Sequence, residues 1–270
     1  MAHPSPLISA IVLNYRSPRD TIRCVEALLA QTIAEKLEIL ITDNHSCDES
    51  IGWIRARYQN APNIRIVEER DNTGYGRGNN DALTHVRSEF TLIINPDNTM
   101  PPDALERMLA PLRANPDVGI VGPALVHPDD SVRPSARQFP RMIDLIKKRL
   151  HPDAWQKKYE EWLGTIKKKE EVEVDWLVGA CLLMRTELFT SLGGFDPRFF
   201  LFFEDIDLCR RIRLLGKKVL YLPQVRVLDR KHRLSGASLL SLLRRKTTWI
   251  HLGSALKYFG KWRGSRPVCR

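Results

Sequence analysis

The chain has 270 residues, 43% hydrophobic and 27% charged, with a formal net charge of +10, a composition that allows a full core in one large soluble domain. No uncharged apolar run approaches the roughly 18 residues of a membrane span, and the N-terminus lacks the basic and apolar regions expected of a secretory signal. Five scattered cysteines without a Cys-x-x-Cys pair point to a reducing cytoplasm and argue against a disulfide framework or a zinc site.

Hydrophobic patterning predicts alternating elements from the start. Leu7–Leu13 reads as a strand, Asp20–Ala30 as a helix, Leu37–Thr42 as a strand and Asp48–Tyr58 as a helix. A strand at Ile64–Val67, a helix at Gly76–Val86 and a strand at Phe90–Ile94 continue the series, followed by a helix at Asp103–Arg113 and a strand at Val118–Val121. Such alternation predicts an α/β fold, a mostly parallel sheet flanked by helices with right-handed crossovers. Residues 141 to about 171 break the pattern. They are rich in Lys, Glu and Trp and read as an inserted helical segment. Strand character returns at Trp176–Met184, a helix follows at Glu187–Leu192, and Glu204–Leu215 is a helix ended by Gly216.

Polar clusters follow the first four strands and fall on one C-terminal edge of the expected sheet, where open α/β sheets bind ligands. The first strand leads into Asn14-Tyr15-Arg16-Ser17-Pro18, not a Gly-x-Gly-x-x-Gly turn, so a dinucleotide fingerprint is missing where it belongs. Thr42-Asp43-Asn44-His45-Ser46 offers groups for a base or ribose, with an Asx turn and helix cap as the alternative. The glycines of Gly74-Tyr75-Gly76-Arg77-Gly78-Asn79-Asn80 are read as a loop that lets backbone approach a nucleotide. Asn95-Pro96-Asp97-Asn98 closes a buried strand and places Asp97 where a hard divalent cation takes oxygen ligands shared with phosphates; an ordinary turn is the alternative. Glu204, Asp205 and Asp207 open a helix, either as a favourable acidic first turn or as a cluster whose mutual repulsion raises the pKa of a general base.

The charge is local. Between Arg230 and Arg270 there are eleven Lys or Arg and no acidic residue, so the rest carries 31 basic against 32 acidic. Leu239, Leu242, Leu243, Ile250, Leu252, Leu256 and Phe259 recur there at roughly helical spacing among Arg244, Arg245, Lys246, Lys257 and Lys261. Two readings stand: a helix lying on an anionic membrane surface, and a terminal helix packed on the body. Nucleic acid is not expected as a partner, because no recognition motif accompanies the charge.

Taken together, Ile11-Val12-Leu13-Asn14-Tyr15, Asp43-Asn44-His45-Ser46, Asn72-Thr73-Gly74-Tyr75-Gly76 with Asn79-Asn80, Asn95-Pro96-Asp97, Trp176-Leu177-Val178-Gly179-Ala180, Gly193-Gly194-Phe195-Asp196 and Phe203-Glu204-Asp205-Ile206-Asp207 resemble family 2 glycosyltransferases of the GT-A fold, most closely the rhamnosyltransferase-like branch of bacterial surface polysaccharide synthesis. The resemblance covers about residues 7 to 238, and residues 239–270 would be a basic amphipathic extension. It implies that Asn14, Tyr15, Asp43, Asn44, Gly74, Asn79, Asn80 and Asp97 hold a nucleotide-diphospho-sugar, and that Asp205 is the base of an inverting transfer. Trp176, Gly179 and Glu204 would face a glycan or lipid-linked acceptor, with Phe199–Phe203 read as core. Asp97 and His232 would hold Mn2+ or Mg2+. The chain departs from the family's Asp-x-Asp motif in having Asn95 at the first carboxylate. L-rhamnose from a deoxythymidine-diphosphate donor is suggested by the resemblance, with a UDP-sugar as an alternative donor and a non-catalytic sugar-nucleotide-binding protein as an alternative function. A nucleotidyltransferase would need a basic glycine-rich loop after the first strand. The expected location is cytoplasmic, peripheral on the inner face of the plasma membrane.

Overall fold

The computed structural model describes residues 6–144, 150–230 and 246–264. Strand β1 (Ile8–Asn14) is buried along its whole length and leads into helix α1 (Pro18–Leu29), which starts on a proline in its first turn. Next come β2 (Leu37–Asp43), α2 (Ser50–Tyr58), β3 (Ile64–Glu68), α3 (Tyr75–Leu83) and β4 (Phe90–Ile94), then the two-residue β5 (Asn98–Thr99), α4 (Ala104–Ala114) and β6 (Val118–Val126). The second half contains β7 (Ala136–Arg137), α5 (Pro152–Ile166), β8 (Val172–Glu173), β9 (Trp176–Leu177) and β10 (Cys181–Arg185). It ends with α6 (Thr186–Ser191), α7 (Glu204–Leu214), β11 (Lys218–Asp229) and α8 (Lys246–Lys261).

Among the described residues a nine-stranded sheet runs β3-β2-β1-β4-β10-β6-β11-β5, with β8 on β11. It is parallel through β3, β2, β1 and β4 and again between β6 and β11, while β10 is antiparallel to both neighbours. Parallel pairing puts the ends of β1, β2 and β4 at one edge, with Asn14 opposite Asp43. Because β10 runs the other way, its start lies at that same edge, Cys181 opposite Ile94. The side-chain period of two divides the core. Ile8, Ala10 and Val12 pack with α1 and α4 through Val25, Leu28, Leu105 and Met108. Ile11 and Ile93 face the other layer, with Phe189, Phe195, Phe203, Leu208 and Tyr258.

Two stretches differ from the sequence expectation. Trp176–Met184 is not one strand, because Val178–Ala180 leaves the ladder: the Val178 N–H donates to the Ser135 carbonyl at 2.8 Å and the Gly179 N–H to a side chain of α7. The twelve-residue β11 has no counterpart in the sequence reading. Pro223 interrupts its pattern, and its register on β6 shifts between Leu222 and Arg226. The inserted segment contains α5, whose Tyr159 and Ile166 are buried and whose Trp155, Tyr159 and Trp162 rings line up toward Tyr221. In the basic tail, α8 packs on the body: Tyr258 is fully buried, while Trp249, Leu252 and Leu256 are exposed. His232, Leu239, Leu242 and Leu243 lie outside the described residues.

Candidate active site

At the ends of β1 and β2 a closed polar network forms. The Asn14 amide donates to Asp43 Oδ1 at 2.6 Å and to Ser46 Oγ at 3.2 Å, and Thr21 donates back to Asn14 Oδ1. Asp43 also accepts from the Ser46 N–H and hydroxyl, so both of its oxygens are engaged and the carboxylate is buried. Asn44 works on the next loop: it donates to the Gly74 carbonyl and accepts from the Thr73 N–H at 3.1 Å. Tyr15 is 44% exposed at this edge, with the Arg16 guanidinium over its ring, 5.3 Å from the centroid.

The glycines of the next segment lie against other parts of the chain. Gly74, at φ +86°, ends the loop, and a Cβ there would lie 2.2 Å from the Phe200 carbonyl oxygen. Gly76 and Gly78 belong to α3, where their missing side chains admit Phe195 and Leu13. Asn80 accepts from the Phe195 N–H and donates to its carbonyl, bracing the segment before α7. Asn79 donates to the Tyr75 carbonyl, and its Oδ1 is buried without a partner. Protein atoms thus stand against the Cα of each of these glycines, while Asn72, Thr73 and Arg77 of the same segment line an open cavity with Glu69, Asp81 and Arg198.

The broken strand at Val178–Ala180 joins the two acidic motifs. The Ala180 carbonyl accepts from the Asn95 N–H at 2.8 Å and the Asn98 amide at 2.9 Å, holding the turn that carries Asp97. One residue earlier, the Gly179 N–H donates to Asp205 Oδ2 at 2.9 Å, and the Gly179 carbonyl accepts from the Tyr75 hydroxyl at 2.5 Å. Asp205 Oδ1 accepts from the Ile206 N–H at 2.8 Å. A Cβ on Gly179 would sit 3.2 Å from the Asp205 Cβ, so this glycine makes room for the carboxylate. Phe202 and Phe203, just before α7, are both left-handed at φ +69° and +70°, a conformation that costs a non-glycine residue about 1–2 kcal/mol.

Electrostatics separate the acids. Burial, then the adjacent Asp205, pushes the Glu204 carboxyl well above the ordinary range, favouring its neutral form. Burial raises Asp205 too, while the Gly179 and Ile206 N–H groups and the Arg137 guanidinium pull it back toward ionisation. Asp205 remains half-buried at the surface. Asp207 is fully buried and engaged by Arg211 and Lys261, so it neutralises cations and does not tune the base. Burial first, then Glu204, Asp205 and Asp97, holds the Tyr75 phenol far above its usual range. One hydroxyl therefore senses both acidic motifs.

Trp176 is 6% exposed, its indole N–H donates to the Gln138 carbonyl at 2.9 Å, and the Arg137 guanidinium lies 5.2 Å from its centroid. The ring is core-packed, and the Arg137 guanidinium lies between Trp176 and Trp155. Sequence reasoning missed Arg137, because β7 is too short to register as a strand, and missed the bridging role of Tyr75, although it lay within a quoted motif. For a metal, Asp97 is 7% exposed beside the Asn95 and Asn98 side-chain oxygens, both buried without hydrogen-bond partners. Such oxygens suit a hard cation. Among the described residues no group of three His, Cys, Asp or Glu side chains forms a ready cage, so phosphate oxygens would have to complete the shell. The Arg230 N–H donates to the Asp97 carbonyl, bringing the chain to this turn two residues before His232, which is outside the described residues.

The model of the glycosyltransferase-like family 2 matches residues 4–251. An N-acetylglucosaminyl-diphospho-decaprenol L-rhamnosyltransferase of Mycobacterium tuberculosis is 30% identical over 95% of this chain and 87% of its own. The rhamnosyltransferase WbbL of Escherichia coli K12 is 27% identical over 70% of this chain and 71% of its own. Among solved structures, GalNAc-T7 with UDP, GalNAc and Mn2+ superposes with a TM-score of 0.71 at 14% identity, over 98% of this chain and 49% of that one. The Pyrobaculum calidifontis mannosyltransferase PcManGT with GDP-mannose and Mn2+ gives 0.63 at 18% identity, over 98% and 78%. The chain belongs to the family 2 glycosyltransferases, in their rhamnosyltransferase-like branch, and has the GT-A fold.

Proposed function

We propose that this protein transfers L-rhamnose from deoxythymidine-diphosphate rhamnose, with inversion, to a hydroxyl of N-acetylglucosamine carried on a polyprenyl diphosphate. The donor sugar and acceptor follow the name of the mycobacterial relative. The observation that carries the mechanism is Asp205: half-buried, raised by burial and fixed by the Gly179 N–H, at the same sheet edge as Asp97. Displacement at an anomeric carbon needs a stabilised leaving group on one face and a base on the other. Asp205 takes the acceptor proton as the new bond forms, and its raised basicity suits that task. Glu204, held neutral, donates a hydrogen bond to the acceptor without adding a second charge. Tyr15 offers a stacking face for the donor base, while Asn14, Asp43 and Asn44 set the shape of the donor edge. Mn2+ or Mg2+, when bound, supplies Lewis-acid neutralisation of the leaving diphosphate. Asp97 would hold it, helped by Asn95 and Asn98 oxygens and, in the family pattern, His232.

The enzyme would work peripherally at the inner face of the plasma membrane. No described helix is long and apolar enough to cross a membrane. The exposed Trp249, Leu252 and Leu256 share one face of α8 within the tail that has eleven basic and no acidic residues, a combination that suits an anionic lipid surface.

Hydrolysis of a panel of sugar nucleotides, with and without Mn2+ or Mg2+, tests donor and metal together. The expected result is metal-dependent release of one nucleoside diphosphate, reduced about a hundredfold or more in Asp97→Ala. Donor binding without turnover, even with acceptor present, would favour the sugar-nucleotide-binding alternative.

A further inference from the structure

We propose that α8 is a strut for the catalytic turn, with Lys261 and Trp262 as positioning residues that hold Asp205 through Asp207; this rests on Asp205 being the base. Asp207 lies two residues along α7 from Asp205, and its side chain is fully buried. Its Oδ1 accepts from Trp262 Nε1 at 2.9 Å and from Lys261 Nζ at 2.6 Å, and its Oδ2 from Arg211 Nε at 2.8 Å. Arg211 also donates to the Leu192 and Gly194 carbonyls, and Lys261 to Asp196 at 2.7 Å. The first turn of α7 is thereby tied to α8 and to the Gly193–Gly194 turn. Arg210 lies 4.7 Å from the Trp262 ring centroid and donates to the Tyr258 hydroxyl, which fixes the indole that reaches Asp207.

The same helix braces the segment leading into Asp205. Lys257 donates to the Arg198 carbonyl and Ser254 to the Leu201 carbonyl, each at 2.8 Å. His251 packs against both left-handed phenylalanines, 5.1 Å from Phe202 and 5.3 Å from Phe203, and Tyr258 lies 5.4 Å from Phe203. A left-handed pair of bulky residues persists only where its surroundings over-determine it. Here those surroundings are largely α8. A general base must be held to within a fraction of an ångström, and a displacement of about 1 Å costs on the order of a hundredfold in rate.

The test uses the full chain with Lys261→Met, Lys261→Arg and Trp262→Phe, the last keeping an aromatic ring while removing its N–H. Asp205→Asn is the reference. Rhamnosyl transfer from deoxythymidine-diphosphate rhamnose to farnesyl-diphospho-N-acetylglucosamine and amide hydrogen exchange across residues 198–210 are measured on each. The expected result for Lys261→Met and Trp262→Phe is a kcat about ten- to a hundredfold lower with donor KM unchanged. Exchange should be faster at residues 202–207 alone, and Lys261→Arg should regain most of the rate. Unchanged exchange and kcat would overturn the proposal. So would a uniform loss of protection with donor KM rising as kcat falls, the mark of a merely structural role. If Asp205→Asn turns over like the wild type, the base assignment fails, while the exchange result still decides whether α8 holds the turn.

Discussion

Glu204 and Asp205 are neighbours on the first turn of α7, yet one is 5% exposed with an unpartnered Oε2 and the other reaches the surface with two backbone N–H partners. Because burial raises Glu204 in the fold, the folded protein holds its proton more tightly than the unfolded chain does. The contribution of Glu204 to stability is therefore complete below its unfolded pKa and lost as pH rises through the folded one. Glu204→Gln removes that dependence. Its Tm should exceed that of the wild type by about 2–4 °C at pH 8, with the gap closing toward pH 4, as scanning calorimetry would show. The sequence displayed the carboxylates but not this division of labour. Spacing says that Glu204, Asp205 and Asp207 open a helix; only the tertiary fold says that Asp207 meets Lys261 and Arg211.

Among the elements, α3 shows how a glycine motif can also serve packing. A run of glycines after a strand suggests backbone that approaches a nucleotide, and the protein partners of Gly74 and Gly76 lie more than a hundred residues away, in the Phe195–Phe200 segment. Gly74→Ala should accordingly destabilise the protein by about 2–4 kcal/mol in urea denaturation, since its Cβ meets the Phe200 carbonyl and its φ is +86°. A wild-type midpoint would show that Phe200 yields. The strands β1, β2 and β4 were legible because they are continuous apolar runs ended by polar clusters. The turn at Val178–Ala180 was not legible: three small apolar residues look like strand, and what removes them from the ladder is their bonding to Ser135, Asp205 and Asn95. Trp176 was expected, from the family resemblance, on the acceptor side. The fold packs it in the core beside Arg137, whose charge also favours the ionised form of Asp205.

At the scale of the whole molecule, an almost neutral body carries a cationic C-terminal stretch, and the two readings of that stretch from sequence are compatible. One face of α8 joins the core through Ala255 and Tyr258, and the opposite face leaves Trp249, Leu252 and Leu256 in solvent. Sedimentation with vesicles containing phosphatidylglycerol should capture the wild type. Trp249→Ser with Leu256→Ser should reduce the captured fraction about tenfold or more, because each large apolar side chain contributes about 1.5–3 kcal/mol on burial, and salt should weaken what remains. Equal capture of both proteins would remove this face from the account of membrane docking.

The central claim is that Asp205 is the base of a glycosyl transfer on this fold. Rhamnosyl transfer to a polyprenyl-diphospho-N-acetylglucosamine, measured beside donor affinity in wild type and Asp205→Asn, tests it most directly. The account predicts a kcat about 10²- to 10⁴-fold lower with donor affinity retained; an Asp205→Asn protein that transfers the sugar at the wild-type rate would contradict it.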